Sequence, residues 1–389
     1  AFFLESTFLG LWIFGWDRLP RRIHLATIWA AALGSTLSAY FILAANSWMQ
    51  NPVGYRINPD TGRAELTDIV AVLTNKVTVV TFPHTLAGCF LVAGALMVAI
   101  ALWHLMRHRA PAGAGGGDPE PTTDPARAAA DTDAFRFAAR FGAVVTLVAA
   151  VAVAITGDQQ GRIMTEVQPM KMAAAEALYH TEQPAAFSVL TVGSLDGSRE
   201  LFAIKIPYLL SVLSTGDPNG EVRGINDLQA QYVSQYGPGG YTPIIPVTYW
   251  SFRFMIGLGL AAAAIAAWAL WALRRGRTPT SRWLLRAGLI MPLLPLAANC
   301  FGWIFTEMGR QPWLVFGEML TRDGVSRSVS LTEVLTSFTA FTLVYAALAV
   351  VEFRLLIRYA RAGLPDLDEP APRPDGDTDD QDRPLAFAY

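Results

Sequence analysis

The residues able to do chemistry in this chain are few, and most stand where charge is expensive. His84 follows Pro83 in a long apolar run, Met255 stands two residues after Arg253 in another, and Glu307 closes a third. Ionisable groups inside apolar spans are costly and mark function by default. A neutral imidazole with a thioether is a known axial pair for haem iron. The competing readings are a histidine bonded to a neighbouring helix and a methionine that only packs. Arg253 suits an acidic cofactor substituent, or it snorkels to the headgroups. Trp303 and Glu307 are four apart and share a helical face. Gly309 and Pro312 then break the helix where the carboxylate, Arg310 and two indoles converge. That density favours a built site over an interfacial anchor with an aromatic belt residue.

Glu5, with Ser6 beside it, lies in the apolar run that opens the chain. It could carry protons, or stay a neutral acid through burial. Gln168-Pro-Met-Lys171-Met-Ala-Ala-Ala-Glu176 opens a helical stretch. Lys171 and Glu176, five apart, miss ideal i,i+4 spacing but could border one pocket, with the carboxylate accepting a proton. A solvated helix face is the alternative. His24, His104 and His108 lie near helix ends, where an interfacial reading suffices. The sequence contains no Walker loop, dinucleotide fingerprint, H-E-x-x-H or G-x-S-x-G, which removes support for nucleotide-driven and hydrolase readings. Cys89 and Cys300 lie in apolar runs and build neither a disulfide framework nor a Cys-rich metal site.

These residues need elements to position them. Of 389 residues, 52% are hydrophobic and only 16% charged, with mean hydropathy +0.33; soluble domains run near 25% charged. The 30 basic and 32 acidic residues nearly cancel, so no global field steers a polyanion and no nucleic-acid partner is expected. A spanning helix needs about 20 mostly apolar residues. Six stretches meet that test, near 24–46, 77–105, 137–156, 246–273, 283–305 and 334–357, and a seventh over 1–15 is cut short. The predicted fold class is an all-α integral membrane protein: a polytopic transmembrane helix bundle of six full spans plus one partial N-terminal span. Arginines at 18, 21, 22, 107, 109, 274, 275, 277, 282, 354, 358 and 361 gather at alternate ends of the spans, so that side is predicted to be cytoplasmic.

The chain then divides into N-terminal transmembrane helices (1–156) with a Pro/Gly-rich cytoplasmic linker (107–134), a long outer loop (157–243), C-terminal transmembrane helices (244–360) and an acidic, disordered cytoplasmic tail (361–389). Loops of that size are functional or disordered. Strand-like Phe202-Ala-Ile-Lys-Ile-Pro207 favours function. No internal repeat is seen.

At this point the residues match a family. The chain resembles subunit I of the cytochrome bd-type quinol oxidases in Ala1-Phe-Phe-Leu-Glu-Ser-Thr-Phe-Leu-Gly10, Phe14-Gly-Trp-Asp-Arg18, Ala45-Asn-Ser-Trp-Met-Gln-Asn-Pro52 and Phe82-Pro-His-Thr85. Lys171 to Glu176, Phe202 to Pro207, Phe252-Arg-Phe-Met255 and Gly309-Arg-Gln-Pro-Trp313 continue the match, in order, over nearly the whole chain. The resemblance implies that His84 and Met255 ligate a low-spin haem b whose charge Arg253 holds. It implies that Glu307 ligates one of two high-spin haems, a haem b and a haem d, with Trp303 and Arg310 around it. Lys171 and Glu176 match the quinol-site residues of the family's Q-loop, here in its shorter form. Glu5, Ser6, Ser38 and Asn46 match polar residues of proton supply and of the high-spin haem region. Family members begin with two further spans and part of a third, carrying a histidine ligand and another acidic residue, so the chain is expected to be an N-terminally incomplete version of the subunit.

The expected function is that of a haem-containing subunit of a bacterial terminal quinol oxidase. It would oxidise quinol at the outer face of the plasma membrane and reduce O2 to water, generating a proton gradient without pumping. Subunit II, and a small single-span subunit, are the expected partners within the lipid bilayer. The alternative is a haem b membrane anchor exchanging electrons with quinone without oxygen chemistry. A secondary transporter using Glu5 and Glu307 is disfavoured by the missing repeat.

Overall fold

The computed structural model describes residues 2–16, 18–107, 125–194, 197–326 and 328–364. The chain opens with α1 (Phe2–Phe14) and α2 (Arg21–Gln50), followed by the hairpin β1 (Tyr55–Ile57) and β2 (Ala64–Leu66) and the short α3 (Ile69–Leu73). Then come α4 (Lys76–Arg107) and α5 (Pro125–Val167). The long loop folds as α6 (Pro169–Glu176), the antiparallel pair β3 (Phe187–Gly193) and β4 (Glu200–Ile206), α7 (Leu209–Thr215) and α8 (Ile225–Tyr236). After it run α9 (Ile245–Ala272), α10 (Arg282–Ile290), α11 (Leu293–Met308), the small hairpin β5 (Trp313–Val315) and β6 (Met319–Leu320), and α12 (Leu331–Ala362).

Six helical stretches are long and apolar enough to cross a membrane, and α1 is a shorter apolar helix. They coincide with the six predicted spans and the partial one. Two differ in detail. The span expected over 137–156 extends in both directions within α5. Pro125 suits a first helical position, the alanine-rich turn after it is strongly helix-forming, and the far end carries an Asp158–Arg162 pair at i,i+4, 3.1 Å apart. The span over 283–305 is divided into α10 and α11 around Pro292, which has no N–H for the helical ladder. Of the expected linker and tail, residues 108–124 and 365–389 lie outside the described residues.

Close packing rests on small residues, as helices in lipid require. Along the α4–α5 seam a Cβ added to Gly94 would come within 2.7 Å of the Gly142 carbonyl oxygen. Ala95, Val98 and Leu102 of α4, Ala143 of α5, Ala266 and Ala269 of α9, Leu284 of α10 and the adjoining Met291 form one buried cluster. The outward faces stay apolar: Leu33, Phe41, Val148, Ile155, Leu260 and Trp271 are all exposed. In α12 no residue is buried; near its C-terminal end Ala360 accepts a 2.8 Å hydrogen bond from His104 Nε2.

The loop packs onto one end of this bundle. Met170, Ala173 and Ala174 of α6, Leu228 and Tyr232 of α8, Ile245 and Tyr249 of α9, and Trp313 of β5 share a core. α4 and α9 both start at that end, and α11 stops there. At 1.5 Å per residue, His84 lies about 12 Å along α4 and Met255 about 15 Å along α9, while Glu307 is the penultimate residue of α11.

Candidate haem and quinol site

Two polar clusters form where the loop meets the bundle, the first buried and the second open at Glu307, whose side chain is 40% exposed. The first centres on Glu176, the last residue of α6. Its carboxylate accepts from Arg253 NH2 at 2.7 Å and from the Ser188 backbone N–H at 3.1 Å. Arg253 also donates to the Ser188 carbonyl at 2.5 Å, and its guanidinium stands over the rings of Phe187, Tyr249 and Phe252 at 4.7–5.2 Å. Side-chain exposure is 10% for Arg253 and 2% for Glu176, so this is a desolvated pair inside an aromatic box. Burial pushes the Glu176 carboxyl up, against the opposing pull of Arg253.

The second cluster is a line of hydrogen bonds across α6, α2 and α11. Lys171 Nζ donates to Gln50 Oε1 at 3.2 Å and to the Thr306 carbonyl at 3.1 Å. Gln50 Nε2 donates to Asn46 Oδ1 at 2.7 Å, and Asn46 Nδ2 to Glu307 Oε1 at 2.7 Å. Arg310 NH2 closes the line on Glu307 Oε2 at 2.6 Å. Burial, and secondarily the Arg310 charge, lower the Lys171 ammonium to about 7, with Glu307 opposing. Lys171, Arg310, Gln168 and Trp313 line one cavity.

These contacts revise the picture of the loop residues. Lys171 and Glu176 do not form a solvated face; both are buried. Nor do they meet each other's partners: one points to α2 and α11, the other to α9 and β3. Five residues turn a helix by about 500°, which leaves them on different faces of α6. Arg253, expected to hold a cofactor's charge, is joined to the loop carboxylate Glu176.

The residues fit a haem with acidic substituents. His84 Nδ1 is held by Thr156 Oγ1 at 3.0 Å, the kind of second contact that orients a ligating imidazole and leaves Nε2 to the metal. A Cβ at Gly157 would lie 3.4 Å from His84 Cε1, and one at Gly302 would lie 3.1 Å from Met255 Sδ, so both side chains face glycine cradles. Arg253 and Arg310 each keep buried Nε and NH1 atoms without protein partners. Buried donors want acceptors, and carboxylates supply them.

The remaining predicted residues stand further out. Trp303 is 43% exposed, one turn before Glu307. Glu5 and Ser6 lie on α1 and Ser38 on α2; among the described residues the hydrogen-bonded line does not reach Glu5 or Ser38. The sequence reading missed Gln50, Thr156 and Ser188. Gln50 carried a signal, since it stands at i+4 from Asn46 within a quoted segment; the other two depend on contacts between elements far apart in sequence.

Comparisons with known proteins show the family. The family described as cytochrome bd terminal oxidase subunit I matches residues 1–364. The chain is 37% identical over 364 residues to the cytochrome bd ubiquinol oxidase subunit 1 of Bacillus subtilis (strain 168), covering 93% of this chain and 73% of that protein. It is 30% identical over 420 aligned positions to the cytochrome bd-II ubiquinol oxidase subunit 1 of Escherichia coli (strain K12), covering 93% and 77%. Among solved structures it resembles the bd oxidase from Geobacillus thermodenitrificans with TM-score 0.75 and 27% identity, covering 93% of this chain and 76% of that one. The chain belongs to the cytochrome bd terminal oxidase subunit I family: it is a multi-pass, haem-binding membrane subunit of a respiratory quinol oxidase that works with a second subunit.

Proposed function

We propose that the loop end of the bundle is the quinol-oxidising and haem-holding end, facing the outside of a bacterial plasma membrane. The carrying observation is the desolvated Glu176–Arg253 pair, which joins the loop to the helix bearing Met255. The haems, when bound, supply the electron path from quinol to oxygen. His84 and Met255 would hold the low-spin haem b, a ligand pair that raises its potential. Glu307 would hold one high-spin haem of the b and d pair, with Asn46 and Arg310 fixing its carboxylate and Trp303 one turn before it.

Glu176 accepts a quinol proton. Its upward-shifted carboxyl takes up a proton more readily than an exposed carboxylate. Lys171 orients the quinol oxygen from the other side of α6. Protons leave on the loop side, while those needed for water enter from the cytoplasmic side by way of Glu5, Ser6 and Ser38. Charge is thereby separated without a pump. The Arg-rich helix ends and residues 361–389 face the cytoplasm. Subunit II and a small single-span subunit cover part of the apolar outer faces.

The test is spectroscopic. Met255→Leu removes the thioether and should convert the low-spin haem toward high spin with total haem unchanged; an unaltered low-spin spectrum sinks the ligand assignment. Glu176→Ala should depress quinol oxidation while leaving oxygen consumption with an artificial donor, and equal loss of both would make Glu176 structural. An additional chlorin band beside the b-type bands separates the oxidase from a haem b anchor.

A further inference from the structure

Gln50 takes part in neither half of the proposed reaction, yet its side chain joins Lys171 to Asn46, which holds Glu307. It is the last residue of α2, and it is buried. Its side-chain amide accepts from Lys171 with one end and donates to Asn46 with the other. Its backbone carbonyl, an orphan of the helix C-terminus, accepts from Gln168 Nε2 at 3.0 Å. Both loop contacts come from the first turn of α6 and its cap.

We infer that Gln50 is a positioning residue, which sets the Lys171 ammonium and the Asn46–Glu307 contact in one fixed register. This rests on the proposed roles of Lys171 and Glu307.

The polarity of the line explains why a glutamine is needed. An ammonium can only donate and a carboxylate can only accept. The ends therefore orient both amides between them: Gln50 must turn Oε1 to Lys171 and Nε2 to Asn46, and Asn46 must then turn Oδ1 to Gln50 and Nδ2 to Glu307. Turning either amide over sets donor against donor at one joint and acceptor against acceptor at another. With each joint of the line made, the position of Lys171 in the loop and the orientation of the Glu307 carboxylate are not independent. Two neutral amides carry orientation along such a line, and no proton transfer is needed.

The experiment uses the whole oxidase in membranes, with total haem as the control for assembly. Gln50→Leu breaks both joints. It should raise the quinol KM about tenfold, the effect of losing one hydrogen bond to a charged group, and shift the carbon monoxide difference spectrum of the high-spin haems. Combined with Lys171→Met it should raise KM no further, because both changes remove the same contact. Gln50→Glu separates the joints: it keeps an acceptor for Lys171 but presents an acceptor to Asn46. Its KM should rise less than that of Gln50→Leu while the high-spin spectrum still shifts. If Gln50→Leu loses haem, the Gln50→Glu result decides. KM and spectrum both at wild-type values, or strictly additive effects with Lys171→Met, overturn the inference. A wild-type preparation lacking quinol oxidation or high-spin haem bands would instead overturn the functional reading beneath it.

Discussion

At the level of single residues, the site depends on charges held out of water. The Glu176–Arg253 pair is almost fully desolvated, and removing one partner strands the other. Arg253→Leu should therefore destabilise the protein by about 3–5 kcal/mol, whereas Glu176→Gln, which keeps an acceptor for Arg253, should cost less; thermal inactivation of the purified complex measures both. Lys171 behaves differently, because burial lowers its pKa from 10.5 to about 7. The unfolded chain then binds the extra proton between those values, so this lysine makes stability rise with pH from about 7 to 10.5. Lys171→Met should flatten that rise, and an unchanged pH profile of the melting temperature would show that the ammonium is not desolvated. His84 and Glu307 stand out in the sequence because an ionisable side chain in an apolar run is costly, whereas Met255, which in most membrane helices only packs, is singled out by its pairing with His84 and by the family resemblance. Gln50 is harder to single out, because an amide at a helix end has many bland explanations and only its i+4 spacing from Asn46 marks it. The five-residue spacing of Lys171 and Glu176 already puts them on different faces of a helix; their partners were not legible, because those come from elements far apart in sequence.

Among the elements, the spans were read nearly intact because lipid makes helix the only open solution for a long apolar segment. Their ends were not. α5 runs beyond its apolar stretch in both directions, since alanine, arginine and glutamine favour helix in water as well. The α4–α5 seam predicts its own failure. A side chain at Gly94 would meet the Gly142 carbonyl oxygen and the Thr146 hydroxyl at contact distances no carbon tolerates. Gly94→Val should push the two helices apart and disturb the setting of His84, whose ring is held by Thr156 of α5. The expected outcome is a broadened low-spin haem band and reduced haem retention; wild-type haem content would mean that the seam can yield without cost.

For the whole molecule, the apolar surface is the organising fact. The 16% charge content places charges at helix ends and in the loop clusters, leaving broad outer faces without them. α12 is the extreme, with none of its residues buried. Leu343, 65% exposed near its middle, meets the bilayer as the span inserts. Leu343→Lys should cost about 2.5–3.5 kcal/mol of membrane insertion without touching the haem contacts, as seen by glycosylation-site mapping of span integration beside an unchanged spectrum. Loss of the haem bands would show instead that α12 supports the site directly.

The line from Lys171 to Arg310 also has a timing built into it. Asn46 and Glu307 meet across 261 positions of sequence, and closing a flexible loop of that length costs about 5 kcal/mol. While the chain is being synthesised, Asn46, Gln50 and Lys171 enter the membrane or reach its surface long before the carboxylate that completes them exists. A nascent chain that stops short of Glu307 has most of its spans but only half of its charged centre. Completion of the site is thus a late event in biogenesis, since it waits on Glu307 and Arg310 after most of the spans have been made.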